Sequence, residues 1–423
     1  MLENDLPPEA ILDRRIFTDP AQLHGLLARL RRTDPMPYVE KAGYRPFWLV
    51  TRHADITAIE LDAKRYINAP TQAIFPVRNA EHAKELTGGA VQDQMRNLVA
   101  MDGDDHRAYR AISQSQFLSK ALNSIRGDIE GLAREFVGRM ADRGGACDFS
   151  ADIAMWYPLR VIMTILGIPP EDEALMLNFA QRVLSAEDPE FQRAGDASGS
   201  IGAIMEMYQY MQPVIADRRA NPRDDIGSVI ATAKVDGEYL AERDVFGYFL
   251  ILATAGHDTT SYSLAGGVLA LIENPDQLAK LRADPSLIPS AVDEIIRWAS
   301  PVRHFARTAT EDGEVNGKPI RKGDVFLLSY PSANRDEAVF GDPFAFRVDR
   351  KPNRHLAFGT GPHLCLGQHL AKMELIAFLR EFLDRVEHFE LAGEPRWTEA
   401  TFVGGVKKLP LRYRFRAPLE RAA

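Results

Sequence analysis

Cysteine is nearly missing: 423 residues include only Cys147 and Cys365, so a disulfide framework is not what holds this chain together. Long apolar runs are missing too. No stretch approaches the ~18–20 residues that cross a bilayer as a helix. The most apolar one, Tyr248 to Ala255, runs straight into Gly-His-Asp. The first residues, Met-Leu-Glu-Asn-Asp-Leu-Pro-Pro, lack the basic-then-apolar order of a secretion signal. A cytoplasmic protein without membrane contact is therefore expected. Positive charge is not in excess, and a net charge of −8 argues against nucleic-acid binding. No convincing G-x-G-x-x-G lies between a strand and a helix, so neither a bound flavin nor a nicotinamide is expected. No repeat or low-complexity linker divides the chain, and 1–423 reads as one domain.

What is present is helix. Apolar spacing predicts helices over 20–32 and through most of 105–285, interrupted at Arg143-Gly-Gly, Ile168-Pro-Pro and Asn221-Pro. Strands are expected at 45–51, 303–310, 313–315 and 325–329, and a terminal hairpin over 398–415 turning at Gly404-Gly405. The fold class is mainly α with a smaller β region built from both ends of the chain. A long irregular stretch, 331–364, leads into Cys365; loops of this length inside compact proteins are usually functional. Cys147, in Gly-Gly-Ala-Cys-Asp-Phe, reads as a small structural residue.

The segment Phe358-Gly359-Thr360-Gly361-Pro362-His363-Leu364-Cys365-Leu366-Gly367 sets one cysteine between a glycine-rich loop and a helical pattern running to about Val386. Free backbone N–H groups at a helix N-terminus favour an anionic sulfur, and a thiolate is a good ligand for a soft or redox-active metal. The glycines remove side chains where a flat group needs close approach. A second unusual segment lies inside the apolar helix predicted from Arg243 to Ile272. There Ala255-Gly256-His257-Asp258-Thr259-Thr260 places residues ill suited to a buried helix interior, which predicts a local opening. A back-bonded Ser/Thr cluster is the plainer reading of that segment. A zinc site from His363, Cys365 and His369 fails for want of a fourth ligand.

The cysteine segment, F-G-x-G-x-H-x-C-L-G, resembles the cysteine loop of the cytochrome P-450 (haem-thiolate) monooxygenases, and the resemblance extends over nearly the whole chain. It implies a haem b between the long central helix and the cysteine-loop helix, with Cys365 as iron ligand. Ala255-Gly-His-Asp258-Thr259-Thr is similar to the family's A-G-x-[DE]-T-T, implying that Thr259 bonds the distal oxygen and Asp258 relays protons, with His257 turned away from the iron. His106 and Arg110 match its H-x-x-x-R; with Arg307 and His363 they are implied to meet the haem propionates. Ala255, Phe358, Gly359 and Gly367 complete the implied haem site. Glu294 and Arg297 match E-x-x-R, and with Arg350 are implied to form a buried structural triad.

The same resemblance, closest to soluble bacterial members that oxidise terpenoids and small hydrocarbons, implies pocket positions at Leu98, Val99, Ile251, Thr254, Ala255, Phe305, Phe402 and Val403. Arg303 either points outward or holds a polar group of the substrate. The loop 70–100 has no clear match. The implied reaction takes one oxygen atom of O2 into a C–H bond, with electrons from an iron–sulfur ferredoxin and its NAD(P)H-dependent reductase. Arg107, Arg110, Lys351, Arg354 and Lys372 are candidates to steer that carrier. The rival readings are a peroxide-driven peroxygenase and a non-catalytic haem sensor.

Overall fold

The computed structural model describes residues 5–87, 97–184, 187–191 and 199–416; of the loop 70–100, residues 88–96 lie outside them. Helices form most of the molecule, and their apolar faces meet in one large core that includes Phe136, Phe149, Tyr157, Phe249 and Phe378. Among the described residues, no helix is long and apolar enough to cross a membrane.

The predicted long helix is two, Glu242–Ala255 and Asp258–Glu273, with Gly256 and His257 between them. Hydroxyls exploit the break. Thr259 Oγ1 donates to the Ala255 carbonyl at 2.9 Å, Ser261 Oγ to that of His257 at 3.0 Å and Ser263 Oγ to that of Thr259 at 2.8 Å. Gly256 is required by packing, since a Cβ there would stand 2.5 Å from Ile162 Cδ1. The second half of the pair packs on the Ile288–Ala299 helix, where a Cβ on Gly267 would lie 2.8 Å from Ile295.

The main sheet joins strands from residues 38–67 with strands from residues 304–329. Its order is Tyr38–Val39, Phe47–Val50, Val325–Ser329, His304–Ala309, Tyr66–Ile67. Phe47–Val50 and Val325–Ser329 run parallel, with Trp48 opposite Phe326; the other pairs are antiparallel. A three-stranded sheet joins Val386–Leu391, Pro410–Phe415 and Ala146–Asp148, so Cys147 sits opposite Leu411.

The terminal hairpin expected over 398–415 is not formed as such. Val406–Lys408 pairs back on Arg396–Trp397, whereas Pro410–Phe415 pairs on Val386–Leu391. Gly404 and Gly405 lie just before the returning strand, and they are small for a different reason. A Cβ on Gly404 would stand 2.7 Å from Arg303 Nη2, and one on Gly405 2.6 Å from Tyr262 Cβ. They are points of close approach.

Candidate functional site

Cys365 precedes the Gln368–Arg385 helix, whose N-cap is Gly367. The loop is fixed from its own backbone: the Cys365 N–H donates to Phe358 O at 2.9 Å and the Gly359 N–H to Leu356 O at 2.9 Å. Gly359 and Gly361 adopt φ of +66° and +69°, which favours glycine. Gly361 also lies so close to the Glu60 carbonyl that a Cβ would approach it to 2.5 Å. Burial pushes the Cys365 thiol up, while the Gly367 N–H, the Arg110 guanidinium and the Gln368 N–H pull it down without cancelling the burial. A cationic metal held by Cys365 would supply the missing stabilisation, because a coordinating thiol is deprotonated outright.

Cys365 opens onto a cavity whose lining also includes Ala255, Gly256, Thr259 and Thr260 from the helix break.

His106, Arg110, Arg307 and His363 all line this cavity. The His106 and His363 rings lie 4.0 Å apart at 32°. Burial, with His363 and Arg110 nearby, brings His106 down to about 4. Burial also lowers His363, although Asp102 opposes the shift. Both imidazoles are therefore neutral donors near pH 7. Asn68 Nδ2 donates to His363 Nδ1 at 3.2 Å, which leaves the proton on Nε2, 3.6 Å from Asp102. Arg110 donates to the Leu364 carbonyl at 2.7 Å and thereby braces the cysteine loop. Arg307 is paired with Glu60 at 3.0 Å, and Glu60 also accepts from Tyr330 Oη at 2.7 Å and the Thr360 N–H at 3.0 Å. A cavity walled by a half-buried cysteine, cationic and imidazole donors and φ-positive glycines fits a flat dianionic porphyrin.

Asp258 is fully buried and does not line the cavity; it lies beside His257, whose Nδ1 is 2.8 Å from Oδ1. His257 Nε2 meets the Met155 carbonyl at 2.6 Å, so this nitrogen carries a proton and the ring is turned away from the cavity. Thr259, one residue on, does face the cavity.

Behind the cysteine loop, Glu294 and Arg297 are fully buried and joined by two bonds of 2.7 Å. Arg350 Nε lies 3.1 Å from both Glu294 oxygens. The Arg347 N–H and Asn353 Nδ2 also donate to Glu294. These donors outweigh burial and hold its carboxyl below the ordinary range. The two guanidiniums satisfy carbonyls at Asn334, Pro343, Gly341, Asp342 and Ala345. Asn334 Oδ1 in turn accepts from the Leu356 N–H at 2.7 Å, tying this network to the strand of chain that enters the cysteine loop.

Of the pocket positions expected from sequence, Leu98, Val99, Ile251, Ala255 and Phe305 line the cavity, whereas Thr254, Phe402 and Val403 do not. Thr254 back-bonds to the Leu250 carbonyl on the buried side of its helix. Phe402 packs edge-on behind Phe305, with ring centres 5.4 Å apart. Val403 is held in the core by a bridge to Val302. Arg303 is neither outward nor at the cavity, but buried over the Phe17 ring. Sequence reasoning missed Glu60 and Glu374. Glu374 lines the cavity from the Gln368–Arg385 helix, has neither carboxyl oxygen hydrogen-bonded among the described residues, and is held protonated well above the usual range by burial. Neither belongs to a motif; the apolar helical spacing around Glu374 is the one available signal.

The Cytochrome P450 family model matches residues 77–415. The chain belongs to the cytochrome P450 family. It is 40% identical over 405 residues to cytochrome P450-terp of a Pseudomonas species, covering 94% of this chain and 95% of that protein. Linalool 8-monooxygenase of Pseudomonas putida is 32% identical over 390 residues, covering 91% and 94%. Among solved structures, CYP108D1 of Novosphingobium aromaticivorans superimposes with a TM-score of 0.89 at 40% identity, covering 96% of this chain and 98% of that one. CYP268A2 of Mycobacterium marinum, solved with pseudoionone, gives 0.86 at 30% identity, covering 94% and 97%. The fold is the P450 fold, the enzyme class is P450 monooxygenase, and the cofactor is haem b.

Proposed function

We propose that this P450, acting as one unit over 1–423, inserts one oxygen atom of O2 into a C–H bond of a small apolar substrate, a terpenoid, alkyl-aromatic or similar hydrocarbon. The observation that carries the reading is a single cavity shared by Cys365, the helix break at Gly256 and the apolar side chains of Leu98, Val99, Ile251 and Phe305. The name of the relative linalool 8-monooxygenase supports the terpenoid class.

In this reading Cys365 is the iron ligand, and the N–H groups of Gly367 and Gln368 temper its basicity. His106, Arg110, Arg307 and His363 hold the propionates; Ala255, Phe358, Gly359 and Gly367 complete the cofactor site. A thiolate-ligated haem supplies O2 activation and C–H oxidation when bound. The chain's own residues manage protons and water. Thr259 holds a proton donor at the cavity wall, and Asp258, beside His257, is the reservoir behind it. The apolar walls keep the site dry and orient the substrate.

Electrons come from a ferredoxin and its NAD(P)H-dependent reductase, in the cytoplasm. Lys351 and Arg354 are exposed and, among the described residues, make no ion pair; they are the cations best placed to meet an acidic carrier. Arg107 and Lys372 are paired with Asp104 and Asp293, and Arg110 is committed inside to Leu364.

The reduced CO complex tests the ligand: Cys365→His is expected to keep haem and lose the red-shifted band, and retention of that band would refute the assignment. NADH consumption with a surrogate ferredoxin and reductase then separates a monooxygenase from a sensor or a peroxygenase. Thr259→Ala is expected to keep consuming NADH while product per NADH falls and hydrogen peroxide rises. A fully coupled Thr259→Ala enzyme would withdraw the proton role of the hydroxyl.

A further inference from the structure

Glu60 sits in the last turn of the His53–Leu61 helix and is only 3% exposed. The position is unfavourable for an acid twice over. A helix C-terminus is the negative end of the macrodipole, and a carboxylate loses its hydration on burial. Three donors from three distant segments make up for it.

Arg307 Nη2, from the His304–Ala309 strand, donates to Oε1 at 3.0 Å, and Tyr330 Oη donates to the same oxygen at 2.7 Å. The Thr360 N–H, in the cysteine loop, donates to Oε2 at 3.0 Å. The loop also presses on the helix end. A Cβ on Gly359 would stand 3.3 Å from Glu60 Oε1, and one on Gly361 2.5 Å from the Glu60 carbonyl oxygen. Glu60 therefore fastens Arg307 to the cysteine loop. Glu60, Arg307 and Tyr330 are all buried and all line the haem cavity. Water screens charges little at such a site, so they act over a longer range than surface charges do.

Along this wall the charges of the chain balance among the described residues. Arg110 and Arg307 are the cations; Glu60 and Asp102, the latter 3.6 Å from His363 Nε2, are the acids. His106 and His363 are neutral near pH 7. The two acids differ. Burial raises the Glu60 carboxyl above its ordinary range, against the pull of Arg307, Tyr330 and the Thr360 N–H. At Asp102 burial loses to His363 and to the N–H groups of Asn68 and Ala69, which hold the carboxyl below that range.

We propose, resting on the reading that Arg307 meets a haem propionate, that Glu60 is a positioning residue of the haem site. It fastens Arg307 in place and offsets its charge, so that the bound haem is harder to reduce than Arg307 alone would make it. A fixed negative charge opposes the arrival of an electron nearby. The lever is charge acting through Arg307, not ligation of the iron.

The test is the ferric–ferrous midpoint potential of the haem-loaded, substrate-free protein between pH 5.5 and pH 8. The red-shifted CO band confirms at each pH that the thiolate ligand is intact. Glu60→Gln keeps the size and an acceptor oxygen but removes the charge. At pH 8 it is expected to favour reduction about tenfold, a rise of about 59 mV. The gap to the wild type is expected to narrow toward pH 5.5, where wild-type Glu60 takes up a proton and loses the same charge. Asp102, His106, Arg110, Tyr330 and His363 are common to both proteins and cancel from the gap. A merely structural role would leave the gap independent of pH. Tyr330→Phe is the second variant. It removes one donor from the carboxylate, so the pH at which the potential bends is expected to move up. Haem transfer to excess apomyoglobin checks the underlying reading: Arg307→Gln is expected to lose haem at least about threefold faster. If it loses haem no faster than the wild type, the propionate reading fails and this proposal with it. If Arg307→Gln does lose haem faster, the proposal alone is overturned by any of three results: a wild-type potential in Glu60→Gln at pH 8, a gap that stays constant with pH, or a bend that Tyr330→Phe leaves in place.

Discussion

Two pairs of buried guanidiniums lie close together in this chain and are treated in opposite ways. Arg297 and Arg350 converge on Glu294 and spend their remaining donors on loop carbonyls. Arg303 and Arg335 line one cavity and, among the described residues, leave three nitrogens unmatched. The first pair is closed, and Asn334 ties it to the chain that enters the cysteine loop. The second is open, and in a low-dielectric interior an open pair is completed from outside or lowers stability. Burial alone does not tell the two apart; the count of matched donors does.

The comparison is broken most severely by removing the shared acid. Glu294→Ala strands two buried cations and is expected to cost about 3–5 kcal/mol, read as the fall in unfolding free energy in urea and as loss of haem-loaded protein. A variant as stable as the wild type would mean that the triad is not what holds the cysteine approach. Glu60–Arg307 is an intermediate case, because the pair is buried yet opens onto the haem cavity. Glu60→Gln keeps the shape and removes the charge, with an expected loss of about 1–3 kcal/mol in the same measurement. Arg335→Met tests the open pair: deleting an unmatched buried cation is expected to be neutral or to stabilise by about 1 kcal/mol. A loss as large as that of Glu294→Ala would show that Arg335 is as well matched as Arg297.

The residues whose placement was legible in the sequence are those whose positions are set by local spacing. Cys365 with its glycines, Glu294 with Arg297, and the polar cluster at Gly256 to Thr260 each fall within one turn or one helix, so their geometry follows from helical period and turn chemistry. Glu60 was not legible, because its partners Arg307, Tyr330 and Thr360 come from segments more than 200 residues away. Thr254 was misplaced by one helical position and Phe402 by one layer of packing. The Gly404-Gly405 pair looked like a hairpin turn, but is small because Arg303 and Tyr262 press against it. Close approach between distant segments leaves the same glycine signature as a turn.

Glu374 carries the comparison over to an acid. Like Arg335 it is buried without a matching group, but a carboxyl has an escape that a guanidinium lacks: it stays protonated. Its pKa is raised on folding, so the native state binds the proton more tightly than the unfolded chain does. Stability from this group is therefore full below the unfolded carboxyl value and declines as pH rises toward the folded one. Glu374→Gln replaces the neutral acid by a neutral amide of the same shape. Near pH 4 the two proteins are expected to unfold at almost the same urea concentration. At pH 8 the variant is expected to be the more stable, since it has no proton to lose in the unfolded state. Parallel urea midpoints at both pH values decide the matter. A gap that stays constant between pH 4 and 8 would mean that Glu374 is ionised in the folded protein and has found a counter-charge.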